Sequence, residues 1–452
     1  MQEDKSMRHA FRYAVLLIGF TSSATLADEK PPAFKDRLKV VEQQLDAEIA
    51  SLVDLYKDIH RNPELSLQEE KTAAKLAKEL EKIGFTVTTK VGGTGIVGVL
   101  KNGPGPTILV RTDMDGLPVV EQTGVPYASQ TKVRNKAGQE VGTMHACGHD
   151  IHMASWVGTA RTLVGMKDKW SGTLVFIGQP AEEIGVGARM MLQDGLFKRF
   201  PKPDYCLALH SDPSLEVGHI NFTEGLAMAN VDTLDVLVKG RGGHGAAPHL
   251  AIDPIVLSAK IILDLQTIIS RERNPVEPAV ITVGSIHGGT KHNIIPNEVK
   301  LQLTVRTTTD AMRKQVLDGI ERICKANAMG ARAEMPEITV YNEEFTPKLV
   351  NESKLTRKTV ALFKDILGED KLHERPVIMG GEDFSRYANG GEIPVFMYFL
   401  GTIDADRAAA AKKEGAKPLP SMHSDSYYPV PEPSIKVGVK TMTMAVLNLV
   451  GK

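Results

Sequence analysis

The stretch MHACGHDIH, residues 144–152, places three histidines, a cysteine and an aspartate within nine residues. Cys147 and His149 flank Gly148, which has no side chain that could block a bound ion. A thiolate and an imidazole are ligands that zinc and neighbouring transition metals prefer. Apolar residues at helical spacing follow over residues 151–163, so the stretch lies where a loop enters a helix. It predicts a metal site, and the alternative is a polar loop whose histidines only form hydrogen bonds.

Three apolar runs with the character of buried strands end at a carboxylate or a histidine. They are residues 107–112 before Asp113 and Asp115, residues 173–178 before Glu182 and Glu183, and residues 204–209 before His210. Parallel sheets bring the carboxyl ends of their strands to one edge, where α/β proteins place their chemistry. The repetition therefore predicts an α/β domain whose active edge carries these side chains.

The two acidic pairs have different interpretations. Glu182 and Glu183 are adjacent, and neighbouring side chains of an extended chain point in opposite directions. One of them can bind a metal while the other faces a water molecule as a general base. Asp113 and Asp115 stand before Pro118, so they belong equally well to the active edge or to an Asx turn.

Residues 231–341 show a different order of elements. Strands are predicted over residues 231–238, 279–286, 299–307 and 331–341, with helices over residues 253–269 and 309–327. The order β-α-β-β-α-β is that of a ferredoxin-like unit. Because α/β signals resume afterwards, we predict that residues 227–341 form a satellite or lid domain. It is inserted into a catalytic domain of residues 37–226 and 342–452.

The inserted segment has polar candidates of its own. His244 and Asn293 follow glycine-rich stretches, which permit close approach of the backbone to a ligand. Arg306 closes a strand and could pair with a substrate carboxylate through two hydrogen bonds. The alternative for Arg306 is a salt bridge on the strand surface, and both interpretations stay open.

Helices are predicted at both ends of the catalytic domain. Residues 37–59 and 432–450 show helical spacing of apolar residues. Ser66 with Glu69 three residues later is a capping box for a further helix, which Gly84 ends. His423 precedes the last helix and is a candidate ligand, although a single histidine in a loop is more often structural.

Composition indicates an ordinary globular chain with a leader. The 452 residues suffice for two or three domains, and the net charge of -1 gives no electrostatic case for a nucleic-acid partner. Arg8 and Arg12 precede a short apolar run and then small residues up to Ala27, as in a secretory signal peptide. We therefore predict a signal peptide over residues 1–27 and export to the periplasm or the medium, with no membrane attachment after cleavage. The three cysteines form too sparse a set for a disulfide framework, which leaves Cys147 available as a ligand.

The motifs, in their order, resemble the M20 metallopeptidase family, and within it the amidohydrolase branch of hippurate, N-acyl amino acid and auxin-conjugate hydrolases. They are RTDMDGLP (111–118), HACGHD (145–150), QPAEE (179–183), His210, GGH (242–244), NIIP (293–296), GEDF (381–384) and His423 with Ser424. The resemblance covers nearly everything after residue 40. It implies a catalytic α/β domain of the zinc-exopeptidase type with an inserted ferredoxin-like satellite domain that often dimerises.

The resemblance also implies a site for two divalent metal ions, with zinc first and manganese, cobalt or nickel as alternatives. The ligands carried over by motif are Cys147, His149, Glu183, His210 and His423. Glu182 becomes the general base, and Asp113 and Asp115 are expected behind the ligands. His244 and Asn293 are expected to steady the oxyanion or the substrate carboxylate, with one of them acting within the chain or across a dimer interface.

The expected activity is hydrolysis of the amide bond of N-acyl amino acids with aromatic or hydrophobic acyl groups. Aromatic acyl-phenylalanine amides such as ochratoxin form one candidate class. The alternatives are a dipeptidase or carboxypeptidase of the same family, and an exported binding protein without activity on the same scaffold. The complete ligand set together with Glu182 favours the enzyme. The resemblance implies a homo-oligomer formed through the satellite domain.

Overall fold

The computed structural model describes residues 32–452. The predicted signal peptide, residues 1–27, lies outside this range. Within it, no helix combines the length and the apolar character that crossing a membrane requires.

The helices and strands fall into three consecutive parts of the chain. The first part contains α1 (Pro32–Arg61), α2 (Glu70–Lys82), β1 (Thr86–Thr89), β2 (Ile96–Asn102), β3 (Thr107–Asp113), β4 (Lys132–Arg134), β5 (Glu140–Gly142), α3 (His149–Gly165), β6 (Gly172–Gln179), α4 (Gly187–Gln193), α5 (Leu196–Arg199), β7 (Tyr205–Glu216), β8 (Ile220–Phe222) and β9 (Gly225–Met228). The second contains β10 (Asn230–Lys239), β11 (Gly243–His244), α6 (Pro254–Thr267), β12 (Ala279–Gly288), β13 (Ile294–Ile295), β14 (Glu298–Thr307), α7 (Asp310–Gly330) and β15 (Glu337–Val340). The third contains β16 (Leu349–Asn351), α8 (Ser353–Leu367), β17 (Leu372–Glu374), β18 (Val395–Ile403), α9 (Ala405–Ala411) and α10 (Pro431–Val450).

The main sheet has eight strands in the order β1-β2-β6-β3-β7-β18-β8-β17. Its four central strands, β6, β3, β7 and β18, pair in parallel, which confirms the predicted α/β class. Strand β3 ends at Asp113 and β6 at Gln179. Strand β7 continues beyond His210, but its pairing with β3 ends at Ala208. The three predicted strand ends therefore meet at one edge of the sheet.

Helix α3 is buried on nearly all sides between the main sheet, α1 and α10. Its Trp156 lies in the hydrophobic core, and its indole N–H donates to the carbonyl of Val110 on β3 at 3.0 Å. Burying a large apolar side chain of this kind contributes about 1.5–3 kcal/mol. The first turn of α3, which begins with His149, is consequently fixed to the body of the sheet.

Strands β12, β14, β10 and β15, in that order, form a separate antiparallel sheet. Helices α6 and α7 cover it, and the two layers share a hydrophobic core of their own. Apart from the two-residue strands β11 and β13, which pair with each other, the element order is the predicted β-α-β-β-α-β. Strand β9 pairs with β16, so the chain returns to the main body close to the point where it leaves it.

The predicted capping box at Ser66 is wrong, because tertiary contacts take both of its side chains. Helix α2 begins at Glu70, and the Ser66 hydroxyl donates to Asp115 at 2.6 Å. The Glu69 carboxylate is fully buried and accepts from the Ala181 backbone N–H at 2.8 Å. The helix ends as predicted before Gly84, whose φ of 91° lies in the left-handed region.

Candidate active site

The five predicted ligands lie together at the carboxyl edge of the main sheet. Cys147 Sγ lies 3.6 Å from His210 Nε2, and His149 Nε2 lies 3.7 Å from Glu183 Oε1. His423 Nε2 lies 3.3 Å from Glu183 Oε2. Residues from four separate segments of the chain thus form one cluster.

Two sets of three ligand atoms share the Cys147 sulfur. One set joins Cys147 to His149 and His210, and the other joins it to Glu183 and His423, with all ligand atoms of a set within 4.8 Å of one another. A thiolate has lone pairs enough to bind two cations. The arrangement therefore fits two ions with Cys147 between them.

Hydrogen bonds on the far side of the rings orient the two buried histidines. His149 Nδ1 lies 2.8 Å from the carbonyl oxygen of Asp115, and His210 Nδ1 lies 2.8 Å from that of Ser211. A carbonyl can only accept, so Nδ1 carries a proton and Nε2 faces the cluster, where the neutral form of the ring would offer a lone pair to a cation. This is the usual way in which proteins orient metal-binding imidazoles.

Two atoms of the cluster are buried without hydrogen-bond partners. Among residues 32–452, neither His149 Nε2 nor Glu183 Oε1 has a donor or acceptor within reach. A buried polar atom left in this state costs about 1–3 kcal/mol. A cation would satisfy both atoms, and the donor set of sulfur, imidazole and carboxylate is the one that zinc-type metals take. The residues present therefore fit a metal centre.

His423 reaches the cluster from a loop between α9 and α10. Its backbone N–H donates to the carbonyl of Ala146 at 2.9 Å, which holds the loop against the segment that carries Cys147. The side chain is 56% exposed, whereas that of Glu183 is 6% exposed. The hydrogen bond with Glu183 raises the pKa of His423. His423 is thus the one member of the cluster that faces solvent.

Asp113 and Asp115 lie behind the cluster. The Asp115 carboxylate accepts from the backbone N–H groups of Glu182 and Glu183 at 3.2 and 3.1 Å. Asp113 accepts from Arg111 at 2.6 Å and bonds His152 Nδ1 at 2.7 Å. Apart from Arg111 on the same strand, these partners come from other segments, which argues against a local Asx turn. Burial opposes ionisation of Asp113, but the neighbouring His149, His152 and Arg111 outweigh it and hold its pKa well below the usual range.

The other two histidines of the 144–152 stretch, His145 and His152, are not among the five predicted ligands. His152 bonds Asp113 through Nδ1 and accepts from the Ser211 N–H through Nε2, so both ring nitrogens are occupied. His145 is buried with no partner among the described residues, and burial lowers its pKa to about 4. Gly148 has a φ of 78°, and a Cβ there would lie 2.3 Å from Ser211 Oγ. Glycine is therefore required at position 148 by the left-handed backbone and by the nearby Ser211 side chain. The predicted reason for this glycine was instead access for an ion.

The chain is not extended at Glu182 and Glu183, so the predicted reason for their side chains to point in opposite directions is wrong. Residues 182–185 form a turn, closed by a hydrogen bond from the Gly185 N–H to the Glu182 carbonyl at 2.7 Å. Both carboxylates reach His149, since Glu182 Oε2 lies 3.8 Å from its Nε2. Burial raises the pKa of Glu182 well above the usual value, and Glu382, Glu183 and Asp383 raise it further. Positive charge at the cluster would act in the other direction.

A buried ionic network beneath Glu182 was not predicted. Arg111 Nη2 lies 2.8 Å from Glu382 Oε1, and Arg111 Nε donates to Gln179 at 3.1 Å. Gln179 in turn donates to Asp383 at 2.6 Å. The adjacent carboxylates Glu382 and Asp383, which follow two glycines, were the feature of the sequence that could have indicated this network. Their partner Arg111 is 271 positions away from Glu382, which only the fold could reveal.

A cavity of about 610 Å³ opens over the cluster. Its lining includes the apolar side chains of Ile184, Met228, Val231, Ile378, Phe399 and Met422. Arg306 reaches it from β14 and pairs with no acid among residues 32–452, and burial lowers its pKa. The salt-bridge alternative for Arg306 is therefore not observed in this part of the chain.

His244 and Asn293 do not line this cavity. Both are exposed, and His244 Nδ1 accepts from the Ala246 N–H at 3.0 Å. They lie near one another on the short sheet of β11 and β13, where His244 is paired with Ile294. The structure therefore brings the ligands, Glu182 and Arg306 together, and leaves these two predicted residues apart from them.

Comparison with known proteins identifies the relatives of this chain. Residues 109–424 match the model of the peptidase family M20/M25/M40. A thermostable carboxypeptidase 2 from Saccharolobus solfataricus is 37% identical over 81% of this chain and 89% of its own length. An N-acetylcysteine deacetylase from Bacillus subtilis is 35% identical over 78% of this chain and 88% of its own length.

A solved structure shows the same relationship in three dimensions. A dinuclear metal-binding peptidase of the M20 family from Bacillus subtilis is 30% identical, with a TM-score of 0.71 over 89% of this chain and 99% of that one. The family model covers more than half of the chain, and the similarity to the curated relatives extends over most of it. The chain belongs to the peptidase family M20/M25/M40, a family of hydrolases.

Proposed function

We propose that this hydrolase cleaves the amide bond of N-acyl amino acids whose acyl groups are aromatic or hydrophobic. Aromatic acyl-phenylalanine amides such as ochratoxin belong to the proposed range. One observation carries the proposal: Glu182 and four of the five predicted ligands line one cavity, and the fifth, His149, lies directly behind them. The same cavity contains Arg306, which pairs with no acid among residues 32–452. Similarity to an N-acetylcysteine deacetylase supports the same class of substrate.

Two divalent ions are part of the proposal. Cys147, His149, Glu183, His210 and His423 would hold them, and the thiolate favours zinc, with manganese, cobalt and nickel as alternatives. When bound, the ions would supply positive charge that lowers the pKa of a water molecule and stabilises an oxyanion. The dinuclear metal-binding relative supports the number of ions.

The chain's own residues supply the proton transfers. Glu182 takes the proton of the attacking water and later gives it to the leaving amine. Asp115 holds the turn of Glu182 and Glu183 through two backbone N–H groups, so the base has a fixed direction. Because His244 lies outside the cavity of its own chain, we propose that it donates a hydrogen bond to the oxyanion in the cavity of a second copy, a contribution on the order of 3 kcal/mol.

Arg306 and the apolar wall set the substrate class. A guanidinium that lacks an acid partner among residues 32–452 and lines the cavity is suited to bind the α-carboxylate of the amino acid product half. Phe399, Met228 and Ile378 offer an apolar surface to the acyl half. A dipeptidase or carboxypeptidase of the same family is the alternative, and the name of the Saccharolobus relative favours the carboxypeptidase. Either enzyme would need the acyl half to be an amino acid or a peptide.

A substrate panel tests the proposal. Metal-loaded protein is given N-benzoyl, N-acetyl and N-indoleacetyl amino acids, ochratoxin, dipeptides and peptides with free carboxyl ends, and product amine is measured. We expect kcat/KM to be highest for aromatic acyl groups and to fall at least about tenfold when the α-carboxylate is blocked as an amide. Preference for longer peptides would support the carboxypeptidase instead, and no turnover of any member would refute both.

The metal ligands can be tested by metal content alone. Cys147→Ala is expected to reduce the protein from two bound ions to one or none, because both sets of ligands lose their shared sulfur. Inductively coupled plasma mass spectrometry of protein reconstituted with zinc gives the measurement. Cys206→Ala is the matched control, since Cys206 is also a buried free cysteine but lies in the core of the sheet. Two retained ions in Cys147→Ala would contradict the shared thiolate.

We also propose that the protein is exported and assembles as a homo-oligomer through the satellite segment. The mature chain is expected to begin near Asp28, after cleavage of the signal peptide. N-terminal sequencing of protein recovered from the periplasm or the medium gives the measurement. An intact Met1 or Met7 on the exported protein would contradict cleavage.

A further inference from the structure

The loop between β6 and α4 is held by buried carboxylates from three other segments. Glu69 accepts from the Ala181 N–H at 2.8 Å, and Asp115 accepts from the next two N–H groups. Asp383 accepts from the Ala188 N–H at 2.9 Å, where α4 begins. The loop carries Glu182 and Glu183, so the direction of both side chains depends on contacts that lie outside the loop.

Ala181 is the unusual residue of this loop. Its φ of 50° lies in the left-handed region, which is unfavourable for a residue with a Cβ. Its carbonyl accepts from the N–H groups of Val186 and Gly187 at 3.3 and 3.2 Å, which closes the loop on itself. Among the described residues, only Glu69 accepts a hydrogen bond from the Ala181 N–H.

Glu69 is specifically placed for this contact. It is fully buried and comes from a position 112 residues earlier in the chain. One carboxylate oxygen accepts from both Leu67 and Ala181, and the other accepts from the Thr94 hydroxyl at 2.6 Å. Burial and nearby Asp115 raise the pKa of Glu69 to about 7. Its position, before residue 109, also lies outside the part of the chain that the family model matches.

We propose that Glu69 is a positioning residue for two neighbouring side chains, the metal ligand Glu183 and the general base Glu182. By holding Ala181 in the left-handed conformation, it fixes the directions in which the next two side chains leave the backbone. Glu69 acts through Ala181 and does not touch the substrate. The inference rests on the proposed function, in which Glu183 binds metal and Glu182 is the base.

Glu69→Gln tests the inference, with Glu64→Gln as its matched control. Glu64 also accepts two backbone N–H bonds at the start of α2, from Lys71 and Thr72, and its side chain has no hydrogen bond to the loop among the described residues. Glu69→Gln is expected to weaken zinc affinity and lower kcat by about tenfold or more, with KM little changed, as for other contacts behind a metal site. Glu64→Gln is expected to change neither. Equal losses in the two variants, or none in Glu69→Gln, would overturn the inference.

A second substitution asks whether Glu69 acts through Ala181. Glycine adopts the left-handed region without a steric penalty. Adding Ala181→Gly to Glu69→Gln should therefore raise zinc affinity and kcat at least about threefold above those of Glu69→Gln alone. Independent, additive effects would overturn the proposed route. If Glu69→Gln does not fold, Thr94→Val is used, because it removes the hydroxyl that anchors Glu69, and a smaller loss of the same kind is expected. Unchanged zinc affinity in Thr94→Val would then overturn the inference.

Zinc affinity separates this inference from the proposed function. It is measured on the full chain by competition with a chromogenic chelator, which requires no substrate. A wild-type protein that binds two ions but hydrolyses no member of the panel would refute the proposed function. The effect of Glu69→Gln on zinc affinity would still decide whether Glu69 positions the loop.

Discussion

Glu182→Gln is expected to lower kcat by roughly two to four orders of magnitude while two metal ions and the substrate remain bound. Glutamine keeps the size of the side chain and its hydrogen-bonding ability, but it cannot take a proton from water. The ligand atoms of the two sets that share Cys147 belong to other residues, so metal content should not change. Single-turnover kinetics, metal analysis and equilibrium binding of a substrate analogue are the measurements.

Glu183→Gln provides the contrast, because the two side chains are neighbours with different contacts. Glu183 lies 3.3 Å from His423 and belongs to a set with Cys147, whereas Glu182 lies over the Arg111 network. We expect Glu183→Gln to lose metal. Metal loss from Glu182→Gln with retention in Glu183→Gln would mean that the two roles are exchanged. Near-normal turnover in Glu182→Gln would exclude it as the base.

The sequence was sufficient to predict the strand ends that carry the cluster. Apolar runs that end shortly before Asp113, Glu183 and His210 are local features, and the parallel arrangement that brings them together is a general property of α/β sheets. The order of elements in the satellite segment was also a local pattern, and it was predicted correctly. Local patterns succeed where each element follows from its own residues.

The predictions failed where distant contacts override a local preference. Ser66 and Glu69 form a capping box by spacing, yet Asp115 and Ala181 provide better-placed partners in the fold. Adjacent glutamates in an extended chain would diverge, but three buried carboxylates hold Glu182 and Glu183 in a turn. No role was predicted for Arg111, although it belongs to one of the motifs, because its partners Glu382 and Asp383 are remote in sequence. Such contacts can be predicted only when it is known which segments of the chain meet in the fold.

His244→Ala is expected to keep both metal ions and its fold while kcat falls by about a hundredfold or more, as for loss of one oxyanion donor. His244 is exposed on β11 and lies outside the cavity of its own chain, so truncating it should not disturb the cluster. The measurements are kcat, metal content and thermal melting. His249→Ala is the matched control, since His249 is an exposed histidine of the same segment that is absent from the cavity lining. Unchanged kcat in His244→Ala would exclude the role.

The position of His244 also predicts where its partner site lies. If it acts on the cavity of a second copy, then mixing inactive His244→Ala with inactive Glu182→Gln should restore activity. In a mixed dimer, one cavity combines an intact Glu182 from one copy with an intact His244 from the other. Random exchange makes half of the dimers mixed, each with one complete site, so about a quarter of wild-type activity is the expected limit. Action within one chain predicts no recovery, because each copy would then lack one of the two groups in its only site.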